Sequence, residues 1–222
     1  MTGSGRGAGG GPRLGEPAAS TAAVAFDAVV LAGGGGRRLG GVDKPALVVG
    51  ERSLLDTVLL ACAAASRTVV VGPERPTSRP VQWAREEPTG GGPAAALGAG
   101  LAGVTEATVV LLAADLPFFT MDSVALLLAS VEGDGALLVD DRGRDQLLCS
   151  AWRTTALRSA VAGQRLAGGA LRSVLAPLSA ARVSVPTIEG RAAPWTDCDT
   201  PGDLSRARGR AWVSGPGVKG NA

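Results

Sequence analysis

Short, wholly apolar runs alternate along this chain with segments of helical spacing, and that alternation restricts its architecture more than any other feature. Residues 25–31 (AFDAVVL), 68–71 (TVVV) and 108–113 (TVVLLA) are apolar almost throughout rather than at every second position. A strand covered on one face alternates in polarity; a strand covered on both faces does not. Between these runs, Leu54, Leu55, Val58, Leu59 and Cys62 share one face of a helix predicted over residues 53–65, with Ser53 as its N-cap. An Ala-rich helix is predicted over 93–102, and Thr120 caps another that reaches about residue 131. Further strands are expected at 81–85, 136–139, 146–152 and 183–185, and further helices at 154–161, 169–175 and 200–208. Together these predict an α/β fold: a Rossmann-like three-layer α/β/α sandwich on a mainly parallel central sheet.

With 222 residues, 45% of them hydrophobic, the chain can build one such core. We expect it to occupy residues 24–213. Residues 1–23, rich in Gly, Ala and Pro without apolar periodicity, read as a disordered tail, and 214–222 as a flexible one. The first 23 residues lack the apolar stretch of a signal peptide, and no apolar run of about 20 residues occurs anywhere. A cytoplasmic protein that uses no membrane is the expectation.

Composition removes several chemistries. There is no histidine, which excludes Ser-His-Asp and Cys-His nucleophilic sites and H-E-x-x-H zinc sites. Cys62, Cys149 and Cys198 are widely spaced, with no C-x-x-C pair, so neither a disulfide framework nor a cysteine zinc site is indicated. The 22 basic and 20 acidic residues nearly balance and aromatics make up 3%, which disfavours a nucleic-acid surface. Carboxylates, Lys, Arg, backbone amides and a hard metal remain.

In open α/β sheets ligands bind beyond the carboxyl ends of the strands. The first such loop is LAGGGGRRLGGVDK, residues 31–44. Glycines let backbone N–H groups crowd around one anion, and Arg37, Arg38 and Lys44 add the charge that a triphosphate of about four negative charges needs. Walker A fails, because Gly40 and Gly41 lead to Val42 rather than Lys. G-x-G-x-x-G fails in the loop as well. It occurs at Gly5, Gly98 and Gly215, none of them after a strand, as expected by chance in a chain with 33 glycines.

Asp115 follows the apolar run 108–113 and is fixed by Pro117, a placement suited to a hard cation. In Asp197-Cys198-Asp199-Thr200-Pro201, extended backbone would put both aspartates on one side. Thr200 and Pro201 make a good helix start, with Asp203 as the capping-box acid.

The 31–44 segment resembles the LAGG…RMG…DK signature of the MobA-like nucleotidyltransferases, with Gly36 where that family often has Ser and Leu39 in place of Met. The likeness extends over residues 26–208. It implies a nucleotide-diphospho-sugar transferase-like fold and Mg²⁺-dependent transfer of a nucleoside monophosphate, with pyrophosphate released. By this resemblance Leu31, Ala32, Gly33, Gly34, Gly35, Lys44, Gly72, Glu86, Gly92, Pro93 and Asp115 bind the nucleotide. Arg38, Lys44 and Asp115 are catalytic, and Asp115 with Asp199 holds Mg²⁺. Three choices stay open: Glu86 or Glu87 as the base-side acid, Asp197 or Asp199 at the metal, and GTP or CTP, since Gly72 stands where guanylyltransferases can have Asn. The implied partners are GTP (or another NTP) and a phosphorylated acceptor, either molybdopterin carrying molybdenum or a different phosphorylated metabolite, with residues 146–152 and 168–175 on the acceptor side. Monomer or weak oligomer is expected. The competing reading is a nucleotide-binding regulator without catalysis.

Overall fold

The computed structural model describes residues 24–33, 41–186 and 192–213. The central strand is β1 (Asp27–Leu31), which pairs in parallel with β4 (Arg67–Val71) on one side and β6 (Thr108–Ala113) on the other. The short β5 (Gln82–Ala84) lies parallel beyond β4, and β8 (Asp145–Arg153) pairs antiparallel with β6. The order is therefore β5-β4-β1-β6-β8. The parallel pair β7 (Gly135–Val139) and β9 (Ala180–Ser184) continues from β8. Arg153 N–H donates to Asp134 O at 2.8 Å, and Asp140 N–H to Arg144 O at 2.9 Å, at the two ends of the β7–β8 hairpin.

Side chains of β1 alternate between two cores. Ala28 and Val30 face Leu55, Val58 and Leu59 of α1 (Leu54–Ala61) with Val124 and Leu127 of α3 (Met121–Ala129). Val29 and Leu31 face Leu97 and Leu101 of α2 (Gly92–Leu101), Leu157 of α4 (Thr154–Val161) and Leu171 of α5 (Leu171–Leu175). Val29 and Val30 are both fully buried, and each such side chain contributes about 1.5–3 kcal/mol. Cover on both faces is why the strand sequences show no polar alternation.

The glycines at 98, 100 and 103 serve packing. A Cβ on Gly100 would lie 2.5 Å from Val29 Cγ1, and one on Gly103 would lie 2.8 Å from Val69 Cγ2, so α2 and the turn after it lie close against β1 and β4. At the opposite end of the element, Asp27 is fully buried and accepts N–H bonds from Thr105 and Glu106, stapling that turn to the start of β1.

Some boundaries differ from expectation. The helix expected over 53–65 stops at Ala61, because the chain turns at Cys62 to bring Ser66 N–H to Phe26 O at 2.8 Å. The last strand is Ala180–Ser184, not 183–185; pairing with β7 stabilises it although none of its residues is fully buried. A two-residue hairpin, β2 (Val48–Val49) and β3 (Arg52–Ser53), turns through Gly50 at φ +66°. It is tied to α6 (Pro201–Val213) by Arg208 Nε donating to Val48 O at 2.9 Å. No helix among the described residues is long and apolar enough to cross a membrane.

Candidate active site

Hydrogen bonds beyond the ladders join the carboxyl ends of the strands. Ala32 N–H donates to Val71 O (2.8 Å), Ala114 N–H to Leu31 O (3.0 Å), and Gly72 N–H to Ala84 O (3.0 Å). Residues that follow β1, β4 and β6 are thereby held side by side. Gly72 adopts φ +151°, and a Cβ there would lie 2.8 Å from the carbonyl atoms of Ala32 and 3.0 Å from Gly33 N. Only glycine tolerates both demands.

Glu86 stands beside this junction. A Cβ on Gly33 would be 3.8 Å from Glu86 Oε1, which itself accepts a bond from Gly90 N–H at 3.1 Å. Its Oε2 is buried and has no partner. Glu87 is exposed, so Glu86 is the acid turned toward the glycine segment. Gly92 and Pro93 form the first turn of α2, which begins at this rim and presents its partially positive N-terminus there. Gly168 N–H donates to Gly91 O at 2.8 Å, drawing the loop before α5 onto the same corner.

The opposite side of the rim carries the charges. Lys44 opens a 3-10 turn, Lys44–Ala46, whose Pro45 is buried. Its ammonium donates to Asp115 Oδ2 and, at 2.5 Å, to Asp199 Oδ1. The Lys44 and Asp115 side chains are 15% and 20% exposed, so solvent screens this contact only in part. Burial works against the charged ammonium, but the bonds and charges of Asp115 and Asp199 outweigh it and hold the Lys44 pKa above the ordinary lysine value. Asp197 lies close enough to feel the cluster: burial, then the charges of Asp199 and Asp115, raise its pKa. Burial also pushes the Cys198 thiol up to about 11, with the Asp115 charge adding to it, so this thiol stays protonated. Asp199 is placed by the helix start beside it, where Thr200 N–H donates to Asp203 Oδ2 (2.8 Å) and Asp203 N–H to Thr200 Oγ1 (3.2 Å). That is the capping box expected from the sequence.

Among the described residues no group of three Cys, Asp or Glu side chains forms a ready metal cage. Mg²⁺ does not require one, since it is usually held by one or two carboxylates and by substrate phosphates. Asp115 fits that pattern: it is a hard oxygen donor whose Oδ1 is buried without a partner, and Asp199 adds a second carboxylate. Six buried side-chain polar atoms among the described residues lack a partner. Four of them, on Arg75, Glu86 and Asp115, surround this rim; the other two, on Asp27 and Thr68, lie at the opposite end of the sheet. Buried groups left unpaired are rare in folded proteins, and most of those among the described residues gather at this rim.

The structure thus brings Leu31, Ala32, Gly33, Gly72, Glu86 and Asp115 to one edge, together with Lys44 and Asp199. Gly34, Gly35 and Arg38 lie outside the described residues. Sequence reasoning missed Arg75: Arg-Pro after a Gly-Pro turn reads as an ordinary solvated loop.

A model of the MobA-like NTP transferase domain matches residues 28–201. Among curated proteins no sequence match is found. Several solved structures are similar. A molybdopterin-guanine dinucleotide biosynthesis protein A from Archaeoglobus fulgidus superposes with a TM-score of 0.66 at 20% identity, covering 84% of this chain and 99% of its own. The 2-C-methyl-D-erythritol 4-phosphate cytidylyltransferase of Thermus thermophilus gives 0.59 at 23% identity, covering 84% and 98%. A Methanothermobacter nucleotidyl transferase gives 0.66 at 17% identity, covering 86% and 99%. At these identities the likeness establishes a shared fold, the mainly parallel α/β sandwich described above.

Proposed function

Because the chain belongs to the MobA-like NTP transferase family, and is a nucleotidyltransferase on that ground, we propose that it transfers GMP from GTP to the phosphate of molybdenum-bearing molybdopterin in a Mg²⁺-dependent reaction. The observation that carries this reading is the meeting of Lys44, Asp115 and Asp199 at the same sheet edge as the buried, unpartnered Oε2 of Glu86.

In this reaction an oxygen of the acceptor phosphate attacks the α-phosphorus. The new P–O bond forms as the bond to the bridging oxygen breaks, and pyrophosphate leaves with the electron pair. A phosphate nucleophile is already ionised at neutral pH, so a chain without histidine lacks nothing it needs. Asp115 and Asp199 would hold Mg²⁺, which when bound neutralises phosphate charge and orients the triphosphate. The Lys44 ammonium, held charged by those carboxylates, stabilises negative charge that grows at the α-phosphate. Gly33 and the start of α2 leave the backbone open for close approach of the nucleotide, and Gly72 packs against the backbone of Ala32 and Gly33.

Glu86 favours guanine. An ionised carboxylate only accepts, and Oε2 is free to take N–H groups from the base edge, of which guanine offers both a ring N–H and an amino group. The Archaeoglobus neighbour, whose name specifies guanine dinucleotide biosynthesis, supports the same choice. A second reading, CTP on another phosphorylated acceptor, draws on the Thermus cytidylyltransferase and on Gly72, which has no side chain to read a base. Pyrophosphate release with each of the four nucleoside triphosphates, with and without molybdenum-loaded molybdopterin, decides between them. Release with GTP that depends on the cofactor is the expected result; release with no nucleotide under any condition sinks the proposal.

A further inference from the structure

Arg75 lies in the loop that opens at Gly72, just beyond β4. Its side chain is 8% exposed, yet a single nitrogen has a partner among the described residues: Nη2, 3.2 Å from Asp43 Oδ1. Nε and Nη1 are buried and unpartnered. Burial pulls the guanidinium pKa down from its usual value, against the opposing charge of Asp43, but an arginine so placed remains charged at neutral pH. A buried cation with two donors unused destabilises a fold. Arg75 therefore contributes little as a structural group, and its presence calls for a partner that arrives with function.

Its position identifies that partner's chemistry. On one side the Arg75 loop begins at Gly72, packed on the backbone of Ala32 and Gly33. On the other it holds Asp43, the residue before Lys44, whose ammonium reaches Asp115 and Asp199. Both flanks belong to the edge that receives the triphosphate in the proposed reaction. Carboxylates already occupy the metal and base ends of that edge, so a cationic donor between them fits a polyanion.

Resting on the nucleotidyltransferase reading, we propose that Arg75 is a further nucleotide-binding residue. Its Nε and Nη1 donate to the phosphate chain of the bound nucleotide, while Nη2 holds Asp43 beside Lys44.

The test uses the full chain with Arg75→Met, which keeps an unbranched stem but has no N–H groups, and Arg75→Lys, which keeps the charge. Mg²⁺-tripolyphosphate, the four nucleoside triphosphates and guanosine serve as probes in calorimetry, with melting measured in their absence. Arg75→Met should melt at the wild-type temperature or above, because it removes a buried, under-partnered cation. Its Kd for tripolyphosphate and for the preferred triphosphate should rise by about tenfold or more, while that for guanosine stays unchanged. Arg75→Lys should fall between the two. Unchanged tripolyphosphate affinity in both variants overturns the proposal. So does a lower melting temperature with full affinity per folded molecule, which would make Arg75 a structural residue. Should Arg75→Met not fold, the Arg75→Lys affinities decide alone. If wild-type protein binds tripolyphosphate through Arg75 yet transfers no nucleotide, the transferase reading fails and the Arg75 site stands. If it transfers nucleotide and the variants bind normally, Arg75 alone is wrong. Absence of all polyphosphate and nucleotide binding by wild type overturns both.

Discussion

Lys44 is gripped by two carboxylates, and that determines what its loss does. Removing the ammonium leaves Asp115 and Asp199 without their shared counter-charge, but it does not remove the sites proposed to hold Mg²⁺. Lys44→Ala is therefore expected to lower kcat by about 10²–10³-fold while the nucleotide Kd changes by less than about tenfold, because ground-state binding rests on other groups. Calorimetry beside single-turnover kinetics separates the two; collapse of binding with kcat preserved would make Lys44 a binding residue. Asp115→Ala should fold, since the residue sits at a strand end outside both cores, and lose about 10³-fold or more in turnover. Near-normal Mg²⁺-dependent turnover in the folded variant would contradict the assignment. The meeting of Lys44, Asp115 and Asp199 was legible in the sequence because each sits in a motif whose resemblance implied one site. Arg75 was not, because its meaning lies in burial and in a distant partner, Asp43, and neither is visible in a linear string.

Among the elements, α2 lies close to the sheet only because it carries glycine. In Gly100→Ala the new Cβ would meet Val29 Cγ1 at 2.5 Å and Val71 Cγ2 at 3.1 Å, both on stiff, buried β-branched side chains. Overpacking of this kind costs about 1–3 kcal/mol, to be read from urea denaturation. The first turn of α1 makes a pH-dependent contribution. Asp56 accepts bonds from Ser78 N–H (2.7 Å) and Ser53 Oγ (2.7 Å), and although burial opposes ionisation, these bonds bring its pKa below the usual aspartate value. A depressed carboxylate stabilises the fold above its unfolded pKa, and that contribution is lost as pH falls through the folded one. Asp56→Ala should therefore be less stable than wild type at pH 7, with the gap narrowing below about pH 4; a gap that widens in acid would reverse the sign argued here. Long β-branched runs and capped helices were legible because local propensity and burial agree in them. The β2–β3 hairpin and the first residues of β9 were not, since each is stabilised by tertiary partners, α6 and β7, rather than by its own pattern.

For the molecule as a whole, the consequence of the fold is convergence. Gly33, Lys44, Gly72, Glu86, Asp115 and Asp199 are scattered along the chain, and a parallel sheet delivers the loops that carry them to one edge. That such an edge exists follows from the alternation in the sequence. Which strand stands at its centre does not, nor does the reversal of β8, because every apolar strand here could pair with any other and only the packed whole selects the order. The property proposed for this edge is that it moves a nucleotide by its α-phosphate rather than merely holding it or releasing its γ-phosphate. Incubation of the wild-type chain and Asp115→Ala with Mg²⁺, molybdenum-loaded molybdopterin and GTP labelled at either the α- or the γ-phosphorus distinguishes these fates. Wild type should give α-label in the acceptor-bound product and γ-label in pyrophosphate, with both lost in Asp115→Ala. Label that leaves as inorganic phosphate, or an acceptor that stays unlabelled while GTP binds, would contradict the proposal.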